Sequence, residues 1–475
     1  MESGEPSPSG DVRNPDYISY PIFNSYPQSN RRPGIHYMEN QELSGKRVLN
    51  GTVQGLATAV ITFGVSMALA RAMEFEAYGE YSSALGVLWI TSILASVGMG
   101  RVATKIYRGA PNEENHLKAR GLRIAGPALI IIVSAVTYGA LVGSHALIQD
   151  KTAVRLSSFA AVLSLLPIVC LRSFFRASGA AHGSAVAANA LNGWVSRVLF
   201  LLCLGGVIYI WGHPMPLLGV AATSTTSSIL ILFAIWFLVL RVEPGYLRIG
   251  KRGYEVGGWV RMGITFSMTS LGLTIIDNAG VVVLGWVNAD AGAAALLAAA
   301  SALATIMLTT AMNVRNIFSP VLVEVILRRD PLAVRRIFRI WFLRMSMLVL
   351  PMAAVMITFA PWFLGLFGTK FEDAYWTFIV FVFNYTIGSL NLLFIVLYQY
   401  MGHAKAAMLI MLGAAGIAVL GMIVLGRIWL DLGVAIAVTF SLNGAVLLMA
   451  LLGWRELRRW KPLERGDLLT TPTSA

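Results

Sequence analysis

Twelve apolar stretches divide this chain, and its Lys and Arg residues collect in every second gap between them. A bilayer core is about 30 Å thick and takes about 20 apolar residues of helix to cross. No water reaches the backbone there, so only helices or closed barrels satisfy its polar groups. The stretches lie near Val48–Ala70, Ser82–Met99, Leu122–Leu147, Ala153–Phe175, Ser184–Trp211, Leu217–Leu240, Gly258–Val287, Ala291–Val323, Ile340–Phe363, Ala374–Tyr400, Ala404–Leu425 and Gly433–Trp454. That length is helical, because a membrane strand needs only about 10 residues. The expected fold class is all-α, a polytopic membrane protein of about 12 transmembrane helices in two six-helix bundles. Composition agrees: 56% of the 475 residues are hydrophobic and 13% are charged, against about 25% charged in a soluble domain.

The charges orient the chain. Five basic residues, Arg71, Lys151, Arg155, Lys370 and Arg427, fall in or beside the odd gaps, and Arg197 stands within an apolar stretch. The rest lie in the two tails, the even gaps or the helix ends that adjoin them. Basic residues are retained on the cytoplasmic side, which places both termini of a multi-pass chain there. The net charge of +13 is then a topology signal with contact to anionic headgroups, and nucleic acid is not an expected partner. Cys170 and Cys203 both sit in apolar helices, and the six histidines lack ligand spacing. No metal cluster, disulfide framework or cofactor is expected.

Residues 1–45 are rich in Pro, Ser, Asn, Gly and Tyr, cannot bury a core, and are expected to be a disordered cytoplasmic tail. The expected organisation continues with an N-terminal six-helix bundle over 46–241, a cytoplasmic linker over 242–257, a C-terminal six-helix bundle over 258–455 and a short tail over 456–475. The odd gaps are brief and hold no inserted domain. The halves resemble repeats: an acidic, Gly-bearing turn at 73–79 and another at 287–292 each join a small-residue helix to the next. Six helices per half give both halves one orientation, the parallel-repeat arrangement of some transporters, whose substrate path runs between halves.

Charges inside a bilayer are costly and mark functional candidates. Asp277 lies roughly 15 Å from the outer end of the seventh stretch at about 1.5 Å per residue. Gly263, Ser267, Ser270, Thr274 and Asp277 follow one another at helical spacing, placing a polar stripe on one face. Two readings stand: the stripe lines a wet cavity where Asp277 binds a cation, a proton or a sugar hydroxyl, or small polar residues pack helices together and Asp277 pairs with an Arg. Arg197 either receives phosphate with its planar guanidinium or extends to the inner interface. Arg71 closes the first helix after Asn50, Gln54, Thr58, Thr62 and Ser66. Ser301, Thr305, Thr309 and Asn313 repeat that band in the eighth. The cavity candidates are Arg71, Arg197, Asp277, Gln54, Asn50, Ser270, Thr274 and Asn313. The phosphate-cradling Gly-Lys-Ser/Thr loop of an ATPase is absent.

Leu69-Ala70-Arg71, followed by Glu76-Ala77-Tyr78-Gly79-Glu80-Tyr81, resembles the polysaccharide flippase family of the MOP superfamily, which is related to the MATE exporters. The resemblance continues at Ile276-Asp277-Asn278 with Val283-Leu284-Gly285, at Leu366-Phe367-Gly368 through Ala374-Tyr375, at Gly402-His403-Ala404-Lys405 and at Asp431 to Ala437. It spans about Arg47 to Trp454. It implies a lipid-linked oligosaccharide flippase of the cytoplasmic (inner) membrane, a MATE-like pair of bundles rocking around a cationic cavity. That cavity takes the diphosphate-sugar headgroup of a polyprenyl lipid while the tail stays in the bilayer. Arg71 and Asp277 match family motif positions, and Asn278 stands where many relatives carry a basic residue. Expected partners are a lipid-linked glycan, membrane lipids and polysaccharide-assembly proteins.

Three classes of function follow. A flippase or polysaccharide exporter working by alternating access replaces the hydration of an anionic headgroup with polar and cationic groups. A cation-coupled drug or small-molecule antiporter on the same fold needs acids inside the membrane, and Asp277 with Glu324 is a thin supply. A membrane glycan polymerase or ligase usually needs a sizeable outer loop, which the short odd gaps do not provide. The expected protein is a transporter and not an enzyme.

Overall fold

A computed structural model describes residues 45–460, apart from 109–112, 149–151, 153, 213 and 328, and the side chains of 45–56, 108, 113–115, 185–186, 211, 265, 269, 316–317, 320 and 327 also lie outside the described set. The expected tails fall almost wholly outside the described residues. Among the described residues the chain is helical throughout, with no strand. The first half holds α1 (Gly45–Ala72), α2 (Phe75–Ala95), α3 (Met99–Arg108), α4 (Glu113–Ile148), α5 (Leu156–Leu163), α6 (Leu166–Ala181), α7 (Ala185–Ala190), α8 (Ser196–Trp211) and α9 (Leu217–Val242). The second holds α10 (Val256–Val282), α11 (Ala291–Leu327), α12 (Pro331–Thr358), α13 (Ala360–Gly365), α14 (Tyr375–Tyr398) and α15 (Ala404–Arg459).

Eight helical stretches are long and apolar enough to cross a membrane, or nine if the bent pair α2–α3 is one span. Two features reconcile these with the twelve apolar runs. The stretch Thr369–Arg459 holds three crossings: α14, then α15 twice, because Trp429 and Leu430 (φ 49°, ψ −125°) break α15 at a hairpin. The first run is seen only in its described part, Ala57–Ala72. Several helices overrun their apolar cores: α4 begins at Glu113, α11 continues to Leu327 and α12 begins at Pro331. Hydropathy reads only the length bathed in lipid, while the basic ends stay helical beyond it. At the ninth run the opposite holds. The run was expected to continue to Phe363, but α12 stops at Thr358, and Pro361, which lacks an N–H, starts the separate short α13.

Local chemistry sets the turns. The Asp290 carboxylate accepts the Ala293 amide at 2.8 Å and starts α11. Asp330 accepts the Leu332 and Ala333 amides at 3.0 Å with Pro331 at the first helical position, starting α12. Val97 and Gly98 take left-handed backbone (φ 47° and 63°), and α3 leaves α2 at 42°.

Two apolar clusters fill the halves and meet at the seam, where Ala295, Ala298 and Ala299 of α11 and Phe367 and Phe371 join the N-terminal one. One runs through α2, α4, α5 and α6 around Phe159, Leu122, Leu166 and Phe174. The other runs through α11, α12, α14 and α15 around Phe318, Trp341, Phe378 and Met449. Between them α1 packs on α11, and α2 packs on both α10 and α11. Lipid supplies no hydrophobic drive between helices, so close backbone approach through small residues does the work. A β-carbon on Gly79 would collide with the Ala291 carbonyl, and one on Gly263 with the Val97 carbonyl. Away from the basic ends the seam is aromatic. Phe63 meets Phe367, Phe75 and Tyr78 meet Phe371, and Trp286 meets His145 and Phe159, at centroid distances of 4.7–5.9 Å. The bundles therefore join firmly on the face opposite the basic ends.

Candidate functional site

Three places gather polar side chains within the helical framework. The first lies inside the N-terminal bundle. Gly193 leaves helical backbone (φ −91°, ψ −112°) between α7 and α8, which frees its carbonyl. Arg197 Nη1 donates to that carbonyl at 3.0 Å, and Ser196 Oγ donates to it at 2.8 Å. Beside Arg197, close enough for their charges to act on each other, stands Arg172 of α6. Arg172 donates from Nη2 to Asn192 Oδ1 at 3.1 Å and from Nη1 to Ser228 Oγ of α9 at 3.3 Å, and its Nε is buried without a partner. One turn on, Arg176 Nη1 donates to Asn189 Oδ1 at 3.1 Å. Among the described residues no carboxylate pairs with any of the three. Carboxamides, a hydroxyl and a carbonyl hold them, all of which position a guanidinium without neutralising it.

Of this cluster, the sequence pointed to Arg197 alone. Arg172 and Arg176 read as ordinary basic residues of a helix end. Yet Arg172 sits nine residues before the end of α6, roughly 14 Å at about 1.5 Å per residue. The signal was present as an acid-free Arg172–Arg176 pair at i,i+4 facing an Asn189–Asn192 pair at i,i+3.

The second place is the polar stripe of α10. Asp277 is exposed, although the Tyr385 side chain of α14 within its electrostatic reach is buried. Tyr385 in turn lies beside Thr305 of α11. Three helices of the C-terminal bundle thus converge on one carboxylate, and no basic side chain pairs with it among the described residues. Thr274 offers its carbonyl to Asn278 Nδ2 at 3.0 Å. Ser270 belongs elsewhere: its hydroxyl accepts from Arg101 of α3, whose other nitrogen reaches the Phe266 carbonyl. Arg101 therefore bridges the two bundles near their basic ends.

The third place is the seam on the opposite face. Arg71 Nε donates to the Leu366 carbonyl at 2.6 Å, tying the end of α1 to the loop before α14. It lines a crevice of about 610 Å³ with Glu74, Glu76 and Lys370. This is a mixed-charge inter-bundle crevice away from Arg197.

The remaining expected candidates turn inward on their own helices. Asn313 Nδ2 donates to the Thr309 carbonyl at 2.8 Å, Thr62 to Thr58 at 2.7 Å and Ser66 to Thr62 at 3.3 Å. Asn50 and Gln54 lie on α1, but their side chains fall outside the described residues. The histidines and acids form no group of three suited to a metal among the described residues.

No family model and no curated protein sequence matches the chain. Solved structures do. An inward-facing multidrug resistance MATE family transporter of the MOP superfamily aligns with a TM-score of 0.64 at 14% identity, over 85% of this chain and 94% of that one. An outward-facing one aligns at 0.60 with 16% identity, over 89% and 99%. A MOP superfamily transporter from Pyrococcus furiosus, described as having a binding pocket of reverse polarity that suggests a different function, aligns at 0.61 with 14% identity, over 87% and 96%. At these identities the likeness is one of fold: the chain is a multi-pass membrane protein built like the MATE transporters of the MOP superfamily.

Proposed function

We propose that the protein is a transporter that flips a polyprenyl-diphosphate-linked oligosaccharide, or exports a polysaccharide precursor, across the cytoplasmic membrane by alternating access. The observation that carries this is the acid-free cluster of Arg172, Arg176 and Arg197 inside the N-terminal bundle. Three half-buried cations without a counter-charge are expensive in hydrocarbon. A diphosphate supplies both the missing charge and the planar, multi-acceptor geometry that guanidinium prefers. The pairing of bundles with the fold of MATE transporters supports rocking about their seam. The Pyrococcus furiosus neighbour, described as having a binding pocket of reverse polarity that suggests a different function, supports a cargo other than drugs on such a fold. The test is flipping of a fluorescent polyprenyl-diphosphate disaccharide in proteoliposomes. Arg176→Gln and Arg197→Gln each lower the rate at least tenfold. Wild-type rates in both variants overturn the reading.

A cation-coupled antiporter is the second reading, favoured by Asp277, which stands beside Tyr385 with no basic partner among the described residues. It predicts that expression confers resistance to cationic dyes and that Asp277→Asn removes it. The first reading predicts no resistance.

A further inference from the structure

A second crevice opens on the N-terminal bundle, away from all three places above. It measures about 280 Å³, near the lower end of the roughly 300–1,000 Å³ usual for ligand pockets. Its floor is α6, through Phe174, Phe175 and Ser178, and its walls are α4 and α9. Ile124 of α4 and Trp236 of α9 line it and are 42% and 43% exposed, so it opens sideways between those helices.

The lining is graded along the helices. Toward the basic ends stand Arg123, Glu243, Tyr107 and His182; deeper stand Pro127, Phe174 and Trp236. Arg123 Nε pairs with Glu243 Oε1 at 2.5 Å, and Arg248 Nε lies 4.0 Å from Glu243 Oε2. The Glu243 side chain is 2% exposed, while those of Arg123 and Arg248 are 33% and 50% exposed. One buried acid is thus ringed by two cations that still reach solvent. The local charge is net positive at the lip and absent below it.

From this gradient we propose a structural lipid site: an anionic phospholipid of the leaflet at the basic face places its phosphate on Arg123 and Arg248 and one acyl chain between Phe174 and Trp236. The acid orients the guanidiniums, and the aromatic walls replace lipid neighbours for the chain. Helix α6 then joins two sites. It presents Phe174 and Phe175 to the crevice and Arg172 and Arg176 to the cationic cluster, so the lipid steadies the helix that carries two of the three cluster cations. This assignment stands whatever the transported molecule is.

The experiment is native mass spectrometry of the delipidated full chain titrated with dioleoylphosphatidylglycerol or dioleoylphosphatidylcholine. The expected result is one site with at least tenfold preference for the phosphatidylglycerol. Leu240→Trp, which fills the mouth, lowers that binding at least tenfold. The triple change Arg123→Gln, Arg248→Gln and Glu243→Gln removes every charge at the lip without orphaning the buried acid, and abolishes the preference. Equal binding of the two lipids overturns the proposal, as does undiminished binding by Leu240→Trp. Displacement of the phosphatidylglycerol by an equimolar polyprenyl phosphate also overturns it, because the crevice would then belong to the cargo's tail.

Discussion

Arg172→Gln separates a binding role for the cationic cluster from a structural one. The wild-type side chain makes two hydrogen bonds, to Asn192 Oδ1 at 3.1 Å and Ser228 Oγ at 3.3 Å. Each contributes about 1 kcal/mol net, so losing both costs about 2 kcal/mol. Against that, the variant removes a cation whose burial costs several kcal/mol when uncompensated, and it relieves its repulsion with Arg197. The two effects roughly cancel, and the variant is expected to be as stable as the parent or somewhat more so. Toward an anion the balance differs. A charge-assisted bond is lost outright, about 1.5–3 kcal/mol, which is roughly a 10- to 100-fold loss of affinity at about 1.4 kcal/mol per tenfold. The assay is titration of nanodisc-embedded protein with a polyprenyl diphosphate, alongside thermal unfolding of the same samples. Unchanged affinity refutes the reasoning. So does a collapse in Tm, which would mean that the cluster is a structural brace.

Three further outcomes follow from the fold. Gly79→Val puts a branched side chain against the Ala291 carbonyl where not even a β-carbon fits; it should hold the bundles apart, seen as increased labelling of a cysteine introduced at Ala295 by a membrane-impermeant reagent. Arg71→Ala removes the bond to the Leu366 carbonyl and should widen the same seam, read as a longer spin-label distance between α1 and the loop before α14, with thermal stability within about 1 kcal/mol because the side chain is exposed. Burial holds the Glu243 carboxyl above the usual carboxylate range, only partly offset by Arg123 and Arg248. A folded-state value raised above the unfolded one means that the folded chain keeps the proton longer. Its contribution is greatest below the ordinary carboxylate value, falls as pH climbs from there to the raised value, and is flat beyond. Glu243→Gln should level that slope in a Tm-versus-pH series.

The candidate site was less legible in the sequence than the scaffold, for reasons that differ from residue to residue. Asp277 was visible because nothing but function or pairing excuses a carboxylate at that depth. Arg172 and Arg176 were hidden because a basic residue toward a helix end has an ordinary explanation, and only the packing of α6 against α7 and α9 shows them facing inward. Arg71 marked a motif, but the loop it grips lies 295 residues away in sequence. The hydroxyls of α1 and α11 formed a convincing stripe. In the fold Thr62, Ser66 and Thr305 each bond to a carbonyl four residues back, a use that periodicity cannot distinguish from lining a cavity.

Sequence alone determined what hydrocarbon dictates locally: helices in place of strands, the number of apolar runs, the side on which charge gathers, and the turns that Asp290 and Asp330 begin. Each depends on residues within a turn or two of one another, or on the thickness of the bilayer. Tertiary structure decided everything that needs two distant segments at one point. It set the seam where Gly79 and Gly263 admit a neighbour's carbonyl, the break at Gly193 that frees an acceptor for Arg197, and the gathering of three cations without an acid. Burial and the distance between charges exist only once the helices have packed, and they turn a topology signal into a site.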